Sequence, residues 1–325
     1  MAKILGMGNA LVDILTKLDG DKYLEQFRLP KGSMTLVDRN RAQVVMTGTE
    51  HLEKTMASGG SAANTIHGIA NMGIDAAYIG KIGHDDLGRI FYNDLLRSHI
   101  NPRLFYSDTE SGRAIALISP DTERTFATYL GAAVELSPDD LDESIFHGFD
   151  YFHIEGYIVQ NHKLLEKAVK LARKNKMRVS LDLASYNVVD ANREFLEYIV
   201  KHYVNILFAN EDEARSFTGL PPSEALQTIA GLCEIAVVKR GKQGSIVGHG
   251  KKAYQIGVID VKSVDTTGAG DLYAAGFLYG LVNGMPLDKC GRAGAILAGK
   301  VIEVMGPKMD EQRWEDARRM ITDLG

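Results

Sequence analysis

Asp265-Thr266-Thr267-Gly268-Ala269-Gly270-Asp271-Leu272 opens a helix with a bare backbone turn and sets a carboxylate just inside it. Gly268, Ala269 and Gly270 carry almost no side chain, so their N–H groups can approach a ligand closely. The apolar run from Leu272 to Val282 reads as the helix, and its first amides have no partner within it. Such an N-terminus favours phosphate. A carboxylate beside a phosphate is repulsive unless it has a task of its own, such as taking a proton from an attacking hydroxyl. The stretch therefore reads as a phosphoryl-transfer site, with Asp271 as the base and residues 268–270 as the anion hole. The bland alternative is a first-turn Asp on an ordinary helix with a Gly-rich approach.

From Asp265 to Leu278 the chain resembles the C-terminal signature of the ribokinase-like (pfkB) family of carbohydrate and nucleoside kinases, Asp-Thr-x-Gly-Ala-Gly-Asp followed by small and apolar positions. The family's N-terminal signature, a diglycine with an Asn four residues on, is matched by Gly59-Gly60-Ser61-Ala62-Ala63-Asn64, with Gly73 and Gly83 downstream. One position departs: Ile66 stands where a small residue is usual, which should reshape helix packing behind the sugar pocket. The resemblance runs from Gly8 to Gly306 and implies an α/β fold with a three-layer αβα core and a mostly parallel central sheet. It further implies one kinase domain over 1–325, with a small β-sheet lid formed by about 14–40 and 104–131. A lid that excludes water would protect the activated phosphate from hydrolysis.

Composition agrees. A chain of 325 residues with 45% hydrophobic content can bury a large core, and its strand–helix alternation argues for one large α/β unit. The net charge of -5 disfavours a general nucleic-acid or anionic-membrane binder. Cys233 and Cys290 are far apart and lack metal-ligand spacing, so both read as small core residues in a reducing compartment. No uncharged apolar run approaches the roughly 20 residues needed to span a bilayer, and the glycine-broken start does not read as a signal peptide. The expectation is a cytoplasmic protein, monomeric or dimeric through its lid.

Periodicity places a strand at 3–7, a helix at 62–72, a strand at 76–82 and a helix at 87–97 opened by Asp85 and Asp86. Residues 14–39 are polar and less periodic. Two β-type runs, 113–119 and 124–130, flank Pro120-Asp121-Thr122-Glu123 as a hairpin. From Tyr151 onward strands at 151–154, 177–182, 205–208 and 235–239 alternate with helices at 162–175, 192–202, 211–218 and 223–231. A last helix spans 311–323. Single-helix crossovers of this length imply parallel pairing.

Two competing nucleotide motifs fail on inspection. Gly294 to Lys300 has Walker A spacing, but Val301 replaces the magnesium-binding hydroxyl and the interior reads as a packed helix. Gly6-Met7-Gly8 begins a dinucleotide fingerprint, but Leu11 occupies the third glycine position.

The remaining candidates take their roles from the resemblance. Asn9, Asp13, Gly59, Gly60 and Asn64 would bind the sugar hydroxyls, against the alternatives of a solvated turn Asp and a buried amide tying helix to strand. Glu155, at a strand end, either reaches a sugar hydroxyl or is simply exposed. Lys239, Gly241 and Gly244 resemble the family's next phosphate and nucleotide loop, where ATP would lie. Asn210 and Glu213 have capping-box spacing, and at these positions the family helps hold Mg²⁺ through water. Asp265 and Thr267, with the loop at 301–306, would hold a monovalent cation, usually K⁺.

These expectations amount to ATP-dependent phosphorylation of a hydroxymethyl group. The run Gly8-Asn9-x-Leu11-Val12-Asp13-Ile14 looks more like adenosine kinases than ribokinases, and Phe126 and Tyr129 could stack on a base. A nucleoside acceptor, adenosine at its 5′-hydroxyl, is expected, with ribose, fructose or a related keto-sugar as the alternative. A catalytically silent binding protein on this scaffold would lack Asp271 or the diglycine, and both are present.

Overall fold

Short β-branched runs separated by single helices return the chain to the same end of a sheet, and so pair in parallel. The computed structural model describes residues 2–121 and 123–324. Its first half runs β1 (Ile4–Met7), β2 (Leu11–Lys17), α1 (Lys22–Phe27), β3 (Met34–Leu36), α2 (Arg39–Gly48), β4 (Lys54–Gly59), α3 (Ser61–Asn71), β5 (Ala76–Gly83), α4 (Asp86–Arg97), β6 (Ile100–Ser107), β7 (Gly112–Ile118) and β8 (Arg124–Tyr129). The second runs β9 (Tyr151–Glu155), α5 (His162–Lys174), β10 (Arg178–Asp182), α6 (Tyr186–Tyr203), β11 (Ile206–Asn210), α7 (Glu211–Thr218), α8 (Pro222–Ala230), β12 (Ile235–Lys239), β13 (Ser245–His249), β14 (Lys252–Ile256), α9 (Ala269–Val282), α10 (Leu287–Val301) and α11 (Glu311–Thr322).

The main sheet has nine strands in the order β14-β13-β12-β11-β10-β9-β1-β5-β6, parallel except for the β13 and β14 pairings at one end. The chain leaves β1 toward β5 and later returns to its other side at β9, so a switch point lies at the carboxyl end of β1, where open α/β sheets bind ligands. Alternate residues of each strand feed two cores. Ile4 and Phe208 pack with α3, α9, α10 and α11, while Leu5 and Leu207 pack with α5, α6, α7 and α8. This is a three-layer arrangement.

A second, five-stranded sheet has the order β3-β8-β7-β2-β4. One face buries Val12, Ile14, Ile115 and Leu117 with Tyr23, Phe27 and Val45 of α1 and α2. Leu11, Asp13, Met34, Leu36, Phe126 and Thr128 lie on the opposite face, toward a large cleft. β3, β7 and β8 fall within the stretches 14–40 and 104–131, and the sheet departs from those stretches in three places. β2 starts earlier, at Leu11; residues 104–107 belong to β6 of the main sheet; and β4 is a fifth strand. β4 escapes periodicity because Lys54-Thr-Met-Ala-Ser-Gly is an edge strand without apolar alternation, paired only with β2.

The hairpin read at 113–130 is antiparallel, with Ile118 opposite Arg124, and Thr122 of its turn lies outside the described residues. The helix read at 192–202 begins at Tyr186 and kinks at Asn192 (φ -131°). The Walker-like run 294–300 is interior to α10. Ile66 is fully buried against Gly6 of β1, where a Cβ would stand 2.3 Å from Ile66 Cγ1, so the large residue in α3 is matched by an absent one in the strand. Among the described residues no helix is long and apolar enough to cross a membrane.

Candidate active site

Three elements converge at the switch point: the turn after β1, the start of α3 and the start of α9. The diglycine between β4 and α3 is dictated by what presses on it. A Cβ on Gly59 would stand 2.2 Å from the Asp13 carboxylate, and one on Gly60 (φ +95°) 2.4 Å from the Asn9 carbonyl oxygen. Asp13 sits in β2, between Ala57 and Ala114 of its neighbours, so it belongs to the small sheet and not to the end of β1.

The two signatures meet on Asp271, which lies 206 to 210 residues in sequence from its partners in α3. Ser61 Oγ donates to its Oδ1 at 2.7 Å and Asn64 Nδ2 to its Oδ2 at 3.0 Å. Thr65 Oγ1 donates to its carbonyl at 3.2 Å. Asn64, expected to bind sugar, therefore holds the Asp271 carboxylate with its amide nitrogen, while its Oδ1 is buried with no partner among the described residues. Burial raises the Asp271 carboxyl to about 6, against the lowering by the Asn64 and Ser61 hydrogen bonds. Burial likewise raises Asp13 to about 7, opposed mainly by the Lys308 ammonium. Lys308 Nζ donates to Ser58 Oγ at 3.1 Å and lies 3.7 Å from Asp94, which accepts from the Ser58 N–H.

Glu155 is 1% exposed, which removes the surface alternative. Its two oxygens accept from the N–H groups of Asn9 and Ala62, both at 2.9 Å, so it clamps the β1–β2 turn to α3. Burial raises it to about 7.

On the phosphate side, Gly268 is left-handed (φ +77°) and packs on Pro307, which a Cβ would approach to 2.7 Å. The Ala269 N–H turns back to the Thr266 carbonyl at 3.2 Å, so that member of the expected anion hole is engaged within its own turn. Lys239 Nζ stands 3.2 Å from where a Cβ of Gly270 would be, and forms a 2.7 Å ion pair with Asp182. Asp182, in Leu-Asp-Leu at the end of β10, gave no sequence signal.

Gly241 (φ +51°) lines the cleft, with open space where a Cβ would stand. Gly244 (φ +81°) serves the fold, since a Cβ there would meet the Ile256 carbonyl at 2.0 Å. Asn210 and Glu213 form the full capping box: Glu213 N–H to Asn210 Oδ1 at 2.8 Å, Asn210 N–H to Glu213 Oε2 at 2.8 Å and Asn210 Nδ2 to Glu213 Oε1 at 2.7 Å. Burial, then the nearby Asp182 charge, raises Glu213 to about 7. Glu213 and Asp182 both line the cleft, the first with each oxygen accepting from Asn210 and the second paired with Lys239, a set that would suit a Mg²⁺ held through water more than one ligated directly.

The cleft joining these groups measures about 1990 Å³ and continues past Lys239 and Gly241 to Val258–Val261 and to Ala298, Gly299 and Ile302. That is room for two ligands, since single small-molecule sites occupy about 300–1,000 Å³.

A model of the pfkB family carbohydrate kinases matches residues 32–313. The chain belongs to that family. A probable sugar kinase from Rhizobium etli CFN 42 shares the fold with a TM-score of 0.89 and 33% identity, over 98% of each chain. An adenosine kinase from Sinorhizobium meliloti shares it at 0.88 and 32%, over 98% of this chain and 99% of that one. The 5-dehydro-2-deoxygluconokinase of Listeria monocytogenes serotype 4b is 30% identical over 82% of this chain and 89% of its own. This pfkB kinase is a phosphotransferase of ribokinase-like α/β fold acting on a sugar or nucleoside.

In this pfkB kinase the Asp265–Thr267 turn is fully engaged. Asp265 Oδ1 accepts from the Thr267 N–H at 3.0 Å and from its hydroxyl at 2.9 Å, and Oδ2 accepts from the Gly306 N–H at 2.6 Å. Arg124, from β8, forms an ion pair with the same Oδ2 and donates from Nη1 to Thr267 Oγ1 at 2.7 Å. A guanidinium thus stands where a monovalent cation was expected. An Arg at a strand start carries no such signal in sequence.

Proposed function

We propose that this pfkB kinase transfers the γ-phosphoryl group of ATP to the 5′-hydroxyl of a purine nucleoside, adenosine above others. The observation that carries the acceptor class is the roof over the switch point. Met34, Leu36 and Val134 are 51%, 54% and 54% exposed, large apolar side chains left open toward the cleft beside Phe126 and Leu130. A purine ring fits between such groups, and its contact with Phe126, the one aromatic among them, would contribute about 0.5–1.5 kcal/mol beyond area burial. A free sugar offers no flat apolar face to cover them. Beneath the roof, Asp13 and the unpartnered Asn64 Oδ1 are acceptors for ribose hydroxyls. A missing hydroxyl would leave one of them desolvated, at about 1–3 kcal/mol.

In transfer, the acceptor oxygen bonds to the γ-phosphorus as the bond to ADP breaks, and the hydroxyl proton passes to Asp271. Ser61 and Asn64 aim that carboxylate. The N-terminus of α9 and Lys239 face the charge developing on the phosphoryl oxygens. Asn210 and Glu213 would help hold Mg²⁺, which supplies charge neutralisation on the ATP phosphates. The small sheet serves as a lid that excludes water.

The second reading, a free sugar or keto-sugar acceptor, is supported by the 30%-identical gluconokinase-type relative. One panel separates them: kcat/KM for adenosine, inosine, cytidine, ribose, fructose and 5-dehydro-2-deoxygluconate with ATP and Mg²⁺. Adenosine is expected to lead. A free sugar ahead of every nucleoside would replace the acceptor and leave the Asp271 chemistry in place.

A further inference from the structure

We infer that in this kinase the Arg124 guanidinium replaces the monovalent cation beside the phosphate-binding turn, so that transfer proceeds without K⁺. The inference rests on the kinase reading but concerns a different group.

Arg124 opens β8 and shares strand parity with Phe126 and Thr128, so its side chain leaves the small sheet on the cleft side. Its side chain is 8% exposed and that of Asp265 6%, an enclosed pair. Nη1 reaches the Thr267 hydroxyl, and Nη2 contacts Met305 Sδ as well as Asp265.

A K⁺ ion needs several oxygen ligands, and four of the oxygens expected to supply them, both of Asp265 and the Val301 and Ile302 carbonyls, already accept hydrogen bonds. In the loop at 301–306, the Ile302 carbonyl accepts the Val264 and Asp265 N–H groups at 2.7 and 3.2 Å, and the Val301 carbonyl accepts Val304 N–H at 3.2 Å. A cation forced onto Asp265 would meet a fixed positive charge across a single carboxylate. The role left to the cation, ordering Thr266 to Gly270 and setting positive charge behind the anion hole, falls to Arg124. Because Arg124 is carried by the small sheet, that charge arrives with the roof over the acceptor.

The test compares wild type and Arg124→Ala in choline, sodium and potassium chloride at equal ionic strength, with Mg²⁺ and ATP. The wild-type rate should vary by less than about twofold among the three salts, as general screening alone would allow. Arg124→Ala should fall by roughly tenfold or more in choline and recover in part with K⁺. Thermal unfolding of the protein alone supplies a second readout. Wild type should show no K⁺-specific rise in Tm, and Arg124→Ala should gain one. If that variant does not fold, Arg124→Lys keeps the charge and should stay indifferent to K⁺. Wild-type activation by K⁺ over choline, a K⁺-specific wild-type Tm rise, or an Arg124→Ala protein blind to K⁺ in both readouts overturns the inference. Failure to phosphorylate any acceptor would reject the kinase reading instead, and the unfolding arm would still report on the ion.

Discussion

Asp271→Asn should make this kinase more stable at pH 8 while removing most of its activity. The carboxyl is half-buried at the cleft wall, and its desolvation there, which raises it from 3.8 to about 6, means that the fold disfavours the ionised form. At about 1.4 kcal/mol per pH unit, full ionisation inside the fold costs about 3 kcal/mol. The sign follows from linkage: a carboxyl raised by folding contributes its stability fully below 3.8 and loses it as pH rises through about 6. An amide is neutral throughout and keeps an acceptor oxygen for Asn64, while its NH₂ can donate to the Ser61 hydroxyl. The variant should therefore gain about 1.5 kcal/mol over wild type at pH 5 and about 3 kcal/mol at pH 8, less any mismatch in those two hydrogen bonds. Denaturant unfolding at the two pH values reads the difference directly. Turnover should fall by roughly 10²-fold or more with ATP affinity much less affected, since the base is lost and the backbone turn stays. An Asn variant less stable at pH 8 than at pH 5, relative to wild type, would refute the desolvated-carboxylate account. Near-wild-type turnover would remove Asp271 from the mechanism.

Other substitutions test the rest of the site. Gly60→Ala places a Cβ 2.4 Å from the Asn9 carbonyl at φ +95°, so it should cost about 2 kcal/mol or more of stability and raise KM for the acceptor; wild-type unfolding and kinetics would show that the turn relaxes freely. Lys308→Met removes the charge that opposes Asp13 protonation, so the acidic limb of kcat/KM for the acceptor should move to higher pH by up to about one unit, with Lys308→Arg restoring it. An unmoved limb in Lys308→Met would separate Lys308 from Asp13. Glu213→Gln should increase the Mg²⁺ needed for half-maximal rate by roughly tenfold, and chelating Mg²⁺ should stop transfer; an unchanged Mg²⁺ titration would leave Glu213 as a helix cap alone.

Much of the second half was legible because each element there has a strong local signal. The helix at 211–218 and the strand at 235–239 match the structure residue for residue, the first through its capping box and the second through a continuous apolar run between polar ends. The small sheet was legible only in part. β3 and β4 are short or lack alternation, and α1 and α2 lie in a polar segment, so these elements exist because β2, β7 and β8 provide partners. The hairpin of β13 and β14 was missed although its strands pair regularly.

The sequence by itself determined the local features of the candidate site: a glycine turn entering a helix, a carboxylate in its first turn and a diglycine with Asn64 four residues on. Those features are local, and backbone geometry demands them wherever the rest of the chain goes. Only tertiary structure decided which groups serve Asp271. Asn64 gives it an amide hydrogen and keeps a free oxygen, Asp182 pairs Lys239 across 57 residues, and Arg124 reaches Thr267 across 143. It also decided that Glu155 is a buried clamp and that Asp13 stands in the small sheet. A lone Asp, Glu or Arg at a strand end reads the same whether solvated or enclosed. Its charge state and partner are fixed by desolvation and by long-range neighbours, and both exist only once the two sheets have closed around the cleft.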